Sequence, residues 1–376
     1  MKIGILTLPL HTNYGGILQA YALQTVLECM GHQCEIVHFV YPFWPNWKKI
    51  LWMVISFLRG KKVDWFYAKK YPKKMAPSMI NINRFIHKYI VLSDEVRSLS
   101  KMKKIAKNYD AFVVGSDQVW RPIYAQYIEL FFCSFLKKSD ARLRIAYAVS
   151  MGTSDREYNE KKQKRCGSLV QLFKGVSVRE NDAVDLIENV YRWNVSPVVT
   201  LDPTLLLDKN IYKKIIDGAE HRNLNSGKIF YYFLDNNNEK EDLLATVCRL
   251  KKRNAFTVYK KEPNYYYDVI EPMPSVEAWL QGFLDSDFVV TDSFHGCVFS
   301  IIFHKPFIVI GNKNRGISRF KTLLGNFDLN KRMVYSFDQM CIEKIVSEDI
   351  DWNLIDKRKE DLVNKSIDYL QKCLGE

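Results

Sequence analysis

The sequence predicts two α/β domains, each built on a parallel β-sheet. Its 376 residues exceed what one ordinary hydrophobic core holds, since domains usually run to roughly 100 to 200 residues. With 47% apolar and 26% charged residues, the composition is that of a folded chain. Short apolar runs also alternate with segments of helical periodicity, twice along the chain, which is the pattern of parallel βαβ units.

The first domain is predicted to span residues 1–196. Lys2–Leu8 is an apolar run typical of a strand, Ile17–Met30 has helical spacing, and Cys34–Val40 is a second apolar run. This strand, helix and strand open a doubly wound sheet. Three further strands are predicted at Ala111–Val114, Ile145–Val149 and Val176–Val178.

The second domain is predicted to span residues 197–350 and to repeat the alternation. The helical periodicity of Asp356–Cys373 indicates a C-terminal helix within residues 351–376 that packs back on the first domain. The predicted strands are Val198–Leu201, Ile229–Leu234, Ala255–Tyr259, Phe288–Thr291 and Phe307–Ile310, and the helices between them are Glu239–Lys252, Val276–Leu284 and Cys297–Phe303.

Charge and cysteine usage narrow the classes of partner. A net charge of +13 favours anionic partners, but the lysines are spread out and no nucleic-acid-binding signature is present, so we expect no nucleic acid. The start of the chain lacks a secretory signal and the eight cysteines lack regular spacing, which predicts a cytoplasmic protein with reduced thiols. Only Cys34 and His38 of a Cys/His cluster share a strand face, so we expect no metal site.

One insertion, residues 41–78, does not fit the alternation. Its apolar run Ile50–Leu58 is flanked by lysine and arginine and is far shorter than the roughly 20 residues that span a bilayer. The segment is either a covering helix of the first domain or a basic, Trp-rich helix lying on the inner face of the membrane.

Ligands of open parallel sheets bind beyond the carboxyl ends of the strands. Two loops of the first domain are unusual there. One has two glycines ahead of a helix, which suits an anion or a simple tight turn; the other combines acidic, amide and aromatic groups, which suits a sugar or a capped helix with a buried tryptophan. The candidate residues, which we assign to the acceptor side, are Asn13, Tyr14, Gly15, Gly16, Ser116, Asp117, Gln118 and Trp120.

In the second domain the segment Thr291–Gly296 places an acid, a hydroxyl and an imidazole at the end of a strand. Asp292 or Ser293 would cap the next helix, which puts His295 in its first turn. A helix N-terminus disfavours the imidazolium form, so a proton-donating His295 needs a carboxylate such as Asp292 or a bound anion. A neutral histidine bonded within the loop is the alternative.

Two further loops follow predicted strands. Arg315 and Arg319 come after Phe307–Ile310 and are either an anion clamp or a solvated surface loop. Asp202–Thr204 follows Val198–Leu201, and its aspartate either serves the site or begins a turn.

Together these segments resemble the polysaccharide pyruvyl transferase family, from about Lys2 to Phe320. The motifs that carry the resemblance are Asn13–Gly16, Val114–Trp120, Ser177–Glu180, Leu201–Thr204 and Thr291–Gly296 followed by Lys305-Pro306.

The resemblance implies two Rossmann-like domains in the GT-B arrangement, with no cofactor beyond phosphoenolpyruvate as donor substrate. The acceptor would be a sugar diol of a surface polysaccharide or its lipid-linked precursor, and the product a pyruvate ketal. The family histidine maps to His295 as the general acid, with Asp292 beside it. Many relatives carry Arg-Leu before His-Gly, whereas this chain has Ser293-Phe294. We therefore expect the donor to be held by Ser293, Gly296, Arg315, Arg319 and Arg179.

Two other functions fit the same sequence. One is a GT-B glycosyltransferase that uses a nucleotide sugar, which would release a nucleoside diphosphate. The other is a non-catalytic, membrane-associated component of polysaccharide assembly, in which the basic aromatic insertion matters and the histidine does not.

Overall fold

The computed structural model describes most of the chain in seven stretches. They are residues 1–40, 77–125, 127–219, 227–235, 237–259, 272–311 and 316–375. Residues 41–76 of the basic aromatic insertion and Arg315 lie outside these stretches, so the predictions made for them are not addressed.

The first sheet has six parallel strands in the order β2-β1-β3-β4-β5-β6. The strands are β1 (Lys2–Leu6), β2 (Gln33–Ile36), β3 (Ala111–Val114), β4 (Leu143–Val149), β5 (Gly175–Val178) and β6 (Val198–Val199). The first sheet extends past the predicted boundary between residues 196 and 197, because β6 pairs with β5 rather than with a strand of the second domain.

The second sheet is also parallel, in the order β8-β7-β9-β10-β11. Its strands are β7 (Ile229–Tyr232), β8 (Ala255–Phe256), β9 (Phe288–Thr291), β10 (Phe307–Ile310) and β11 (Met333–Val334). The two sheets share the same strand order. The first strand of each domain, β1 or β7, lies between the second strand, β2 or β8, and the third, β3 or β9. The predicted pair of Rossmann-like domains is confirmed.

Helices cover both faces of the sheets, as βαβ crossovers require. They are α1 (Tyr14–Cys29), α2 (Ile80–Tyr89), α3 (Leu99–Ile105), α4 (Glu160–Val170), α5 (Asn181–Asp185), α6 (Lys209–Asp217), α7 (Asn238–Lys251), α8 (Val276–Asp285), α9 (Phe294–Ile302), α10 (Ile317–Phe327), α11 (Gln339–Ser347) and α12 (Trp352–Leu374). Within the described residues, no helix combines the length and apolar character needed to cross a membrane.

The helices start where short polar side chains replace the missing backbone partners. Asn13 caps α1 by accepting a hydrogen bond from the Gly16 N–H at 3.1 Å. Ser293 caps α9 in the same way, with the Gly296 N–H at 3.3 Å. Each cap fixes the first turn of its helix at the carboxyl end of a strand, where ligands of this kind of sheet bind.

One hydrophobic cluster is shared by the two domains, and each domain has a further cluster of its own. The shared cluster runs from β1 and α1 of the first domain to α8 and α9 of the second. At the junction, the Tyr14 ring stacks on Trp279 at 5.5 Å between centroids, and its hydroxyl donates to the Pro274 carbonyl at 2.8 Å. Burial of large aromatic rings therefore holds the domains together directly beside the first turn of α1.

The C-terminal helix α12 returns to the first domain, as predicted. The Ser366 hydroxyl accepts a hydrogen bond from the Leu201 N–H at 3.1 Å, and the Tyr369 hydroxyl donates to the Ala146 carbonyl of β4 at 2.9 Å. A Cβ at Gly175 would overlap the Cys373 sulfur, so the helix lies directly against β5. This contact braces the chain crossing between the two domains.

Candidate active site

The site lies where the carboxyl ends of the two sheets face each other. The strand order reverses between β1 and β3 in the first sheet and between β7 and β9 in the second. α1 follows β1 and α9 follows β9, and their first turns touch, since a Cβ at Gly15 would overlap the His295 ring. Two helix N-termini, one from each domain, therefore meet at one point and present backbone N–H groups suited to an anion.

His295 lies in the first turn of α9 and is only 6% exposed. Its Nε2 atom lies 3.4 Å from Asp202 Oδ2, the distance of an ion pair. Asp202 comes from the crossing after β6, and its other carboxylate oxygen accepts hydrogen bonds from the Thr204 N–H at 3.1 Å and the Thr204 hydroxyl at 2.6 Å. The carboxylate next to the histidine is thus supplied by a distant part of the chain.

The surroundings keep Asp202 ionised despite its burial. Burial alone would raise the pKa of this carboxyl. The charges of His295 and Arg179, with the hydrogen bonds from Thr204, outweigh that effect and hold the pKa well below its usual range. An ionised Asp202 stabilises the positive charge that a proton brings to the imidazole.

Arg179 connects two carboxylates of the site. It follows β5, and one terminal nitrogen donates to Asp202 while the other donates to Asp117 Oδ1 at 3.2 Å. Its guanidinium carbon lies 4.4 Å from the centre of the Phe294 ring. Within the part of the chain that the structure describes, its Nε atom is buried without a hydrogen-bond partner. A buried N–H of a guanidinium without an acceptor is a position where a bound anion would be stabilised.

Arg319 brings a second guanidinium group to the same ring. It lies in the first turn of α10, 8% exposed, with its guanidinium carbon 5.4 Å from the centre of the Phe294 ring. Burial first, and then the like charge of Arg179, lower the pKa of Arg319 to about 10. Burial would raise the pKa of Asp117, but the charges of Arg179, His295 and Arg319 outweigh it and lower that pKa.

Glu180 holds the loop at Ser150 to Gly152, against which the start of α10 packs. One of its carboxylate oxygens accepts hydrogen bonds from the Ser150 hydroxyl and the Met151 N–H at 2.8 Å and from the Gly152 N–H at 3.0 Å. The carbonyl of Gly152 in turn lies against Gly316, at which any Cβ would be 2.6 Å from it. Because Gly316 has φ +70, it starts α10 in a conformation that favours glycine.

Asp292 lies outside this cluster, although it was predicted to assist His295. One of its oxygens accepts the Leu234 N–H at 2.7 Å, and the other accepts the Lys240 ammonium group at 2.6 Å. Asp292 therefore ties the ends of β7 and β9 to α7. Asp202 takes the place beside the histidine.

The predicted donor residues occupy different positions. Arg179 and Arg319 lie together at Phe294, Ser293 caps α9, and Gly296 lies against the Thr291 side chain, where a Cβ would overlap the threonine hydroxyl. Neither Ser293 nor Gly296 therefore offers a free side chain, and the first turn of α9 contributes its backbone and the side chains of Phe294 and His295 to the site.

The predicted acceptor residues separate into a site group and a structural group. Gly15 contacts His295 and Asp117 pairs with Arg179. The others serve the fold: Asn13 caps α1 by way of Gly16, Tyr14 packs on Trp279, the buried Ser116 N–H donates to Gln19, and Gln118 accepts from Arg121.

Of the two roles left open for Trp120, a ring offered to a sugar or a buried core residue, the structure shows the second, because the side chain is completely buried. Its indole stacks on Phe132 at 4.5 Å between centroids and donates to the Phe131 carbonyl at 2.9 Å. The ring is part of the core of the first domain, so it cannot face a ligand.

The family model of polysaccharide pyruvyl transferases matches residues 13–314 of this sequence. The chain belongs to the polysaccharide pyruvyl transferase family. That match includes His295, Asp202 and Arg179 and ends before Arg319. No curated protein matches the sequence.

Similar solved structures show the arrangement of the domains. The UDP-GlcNAc 2-epimerase of Neisseria meningitidis, bound to UDP-GlcNAc, is 12% identical, with a TM-score of 0.50 over 100% of this chain and 99% of that one. A putative UDP-N-acetylglucosamine 2-epimerase of Listeria monocytogenes is 11% identical, with a TM-score of 0.51 over 98% of this chain and 90% of that one. The chain thus has the GT-B fold that the resemblance implied.

Proposed function

We propose that this transferase moves the pyruvyl group of phosphoenolpyruvate onto two hydroxyl groups of a sugar, as a ketal. The observation that supports this most directly is the meeting of His295, Arg179 and Arg319 at the N-termini of α1 and α9. A small dianion or trianion with a carboxylate and a phosphate matches two guanidinium groups and two helix N-termini.

The reaction needs one proton donor at the enol carbon. In the proposed step His295 gives a proton to the methylene carbon of phosphoenolpyruvate, which leaves C2 electron-poor. One sugar hydroxyl and then the second bond to C2, and the bond from C2 to the phosphate oxygen breaks. Of the two hydroxyl protons, one restores His295 and the other leaves with phosphate.

The electrostatics of the site suit this sequence of events. Asp202, ionised and 3.4 Å from His295 Nε2, stabilises the imidazolium before transfer. Arg179 and Arg319 are positioned to balance the charge of the carboxylate and of the departing phosphate. The acceptor in this proposal is a sugar diol of a surface polysaccharide or its lipid-linked precursor.

The experiment is phosphate release from phosphoenolpyruvate with a panel of methyl glycosides as acceptors, with mass spectrometry of the glycoside product. The test variant is His295→Gln, and the matched control is His304→Gln, at the other end of α9, where the imidazole pairs with Asp356 at 2.8 Å. Loss of a general acid should slow transfer by about 10² or more. The control should keep its rate.

Two results would contradict the proposal. Unchanged release in His295→Gln would remove the assigned acid. Turnover of a nucleotide sugar to a nucleoside diphosphate, without any use of phosphoenolpyruvate, would favour glycosyl transfer instead.

A further inference from the structure

The loop after β3 carries a second aromatic ring, and this one is open to solvent. Tyr124 is 50% exposed and its neighbour Ile123 is 61% exposed, whereas Trp120 in the same loop is fully buried. Large apolar groups with this much exposure side by side are candidates for contact with a ligand.

The Tyr124 ring is held in place by a buried arginine. The guanidinium carbon of Arg121 lies 5.2 Å from the ring centre. Arg121 is itself fixed by two hydrogen bonds to Glu157, at 3.1 Å from Nε and 2.7 Å from Nη2, and by a third to Gln118 at 3.2 Å. The ring therefore rests on a rigid support while half of the side chain stays available.

The loop that carries Tyr124 borders the site described above. The loop includes Asp117, which pairs with Arg179. Gln118, which accepts a hydrogen bond from Arg121, lies against Gly152, and the carbonyl of Gly152 lies against the glycine that begins the helix of Arg319. The support of the Tyr124 ring therefore lies on the Arg319 side of the cluster. A molecule resting on Tyr124 would have its polar groups next to the groups that we assign to the donor.

We propose that Tyr124, with Ile123 beside it, is the platform on which the sugar ring of the acceptor packs. A rigid aromatic ring offers apolar area to the C–H face of a sugar at little cost in conformational entropy, and nearby carboxylate and guanidinium groups serve its hydroxyls. The inference rests on the proposed pyruvyl transfer, for which it names the acceptor subsite. It predicts that Tyr124 determines affinity for the acceptor and leaves affinity for phosphoenolpyruvate unchanged.

The experiment measures the two ligands separately. Binding of methyl galactoside, methyl glucoside and methyl N-acetylmannosaminide is followed by saturation-transfer NMR, and binding of phosphoenolpyruvate by calorimetry. The variants are Tyr124→Ala and Tyr124→Phe, and the matched control is Tyr335→Ala, because Tyr335 is 49% exposed but follows β11 at the second sheet.

Tyr124→Ala should weaken glycoside binding by about tenfold and, where transfer is measurable, raise the acceptor KM by a similar factor with kcat little changed. Tyr124→Phe and Tyr335→Ala should bind glycosides like the wild type. Equal glycoside binding in Tyr124→Ala and wild type, or no glycoside binding by the wild type, would overturn the platform. Lost phosphoenolpyruvate binding in Tyr124→Ala would instead place the ring at the donor.

These outcomes are separable from the proposed function. If the wild type binds glycosides through Tyr124 but neither binds nor consumes phosphoenolpyruvate, the pyruvyl transfer fails and the sugar platform stands.

Discussion

Replacing Arg319 with methionine should make the free protein more stable and remove its response to phosphoenolpyruvate. The charged guanidinium is buried near another guanidinium, and the fall of its pKa from 12.5 to about 10 corresponds to roughly 3 kcal/mol against the charged form. Loss of the contact with the Phe294 ring, about 1 kcal/mol, and of the long hydrogen bond from Nε to the Gly316 carbonyl at 3.4 Å, about 0.5 kcal/mol, offsets part of this. The net gain should be about 1 to 2 kcal/mol, since methionine fills the space flexibly.

The assay is thermal unfolding with and without phosphoenolpyruvate. For a domain of about 150 residues, such as the second domain, this gain in the free energy of unfolding corresponds to a rise in Tm of roughly 2 to 6 °C in Arg319→Met. The cost of the charge is fully present below about pH 10 and declines as pH rises toward 12.5, so the gain should not vary across neutral pH. Ligand at 100 times Kd stabilises the wild type by about 2.7 kcal/mol, and the variant should lose most of that shift.

Arg332→Met is the matched control in the same domain. Arg332 is buried too, and its guanidinium donates two short hydrogen bonds, to the Ile345 carbonyl at 2.8 Å and the Glu348 carbonyl at 2.6 Å. Its replacement removes these bonds and should lower Tm. If Arg319→Met lowers Tm as much as the control does, the cost assigned to the buried charge of Arg319 is refuted. If the variant still responds fully to phosphoenolpyruvate, the role of Arg319 in binding the anion is refuted.

Two further predictions concern the histidine. Gly15→Ala should reduce the rate of transfer by about tenfold or more with folding retained, because the added Cβ displaces His295. Gly325→Ala is the control and should keep full activity, since the nearest neighbour of its Cβ is 3.9 Å away. Rate assays measure the activity of both variants, and circular dichroism measures their folding. Asp202→Asn should cost about 3 kcal/mol or more at pH 7. Because the pKa of Asp202 is lower in the folded than in the unfolded protein, its carboxylate stabilises the fold above the unfolded pKa of about 3.9, and this stabilisation is lost as pH falls below that value. A Tm difference between the wild type and Asp202→Asn that grows toward pH 3 would contradict this.

The sequence was sufficient for the fold wherever a strand is buried on both faces. Ala111–Val114, Phe288–Thr291 and Phe307–Ile310 are observed with the predicted bounds, because continuous apolar runs occur only where helices cover both sides of the sheet. The pairing of β6 was not predictable in this way. Two residues at a sheet edge carry too little pattern to indicate which sheet they join.

The sequence identified several members of the candidate site but not their pairings. His295 was identified from its place after a strand, yet its carboxylate partner is Asp202 rather than Asp292, because neighbouring residues at the start of a helix point in different directions. Likewise the sequence left open whether Trp120 is presented to a sugar or buried, and its packing against Phe132 decides for burial. Such choices are made by tertiary contacts that local sequence does not record.

The contact between Gly15 and His295 has a kinetic consequence. The histidine comes from one domain, its neighbouring glycine from the other, and Asp202 from the crossing between them, so the cluster is complete only when the domains are together. In that state His295 and Arg319 are less than a tenth exposed. For the proposed transfer, we therefore expect a substrate to reach them while the domains are apart. We thus predict that entry and chemistry belong to different conformations, with at least one cycle of separation and return in each turnover of the proposed reaction.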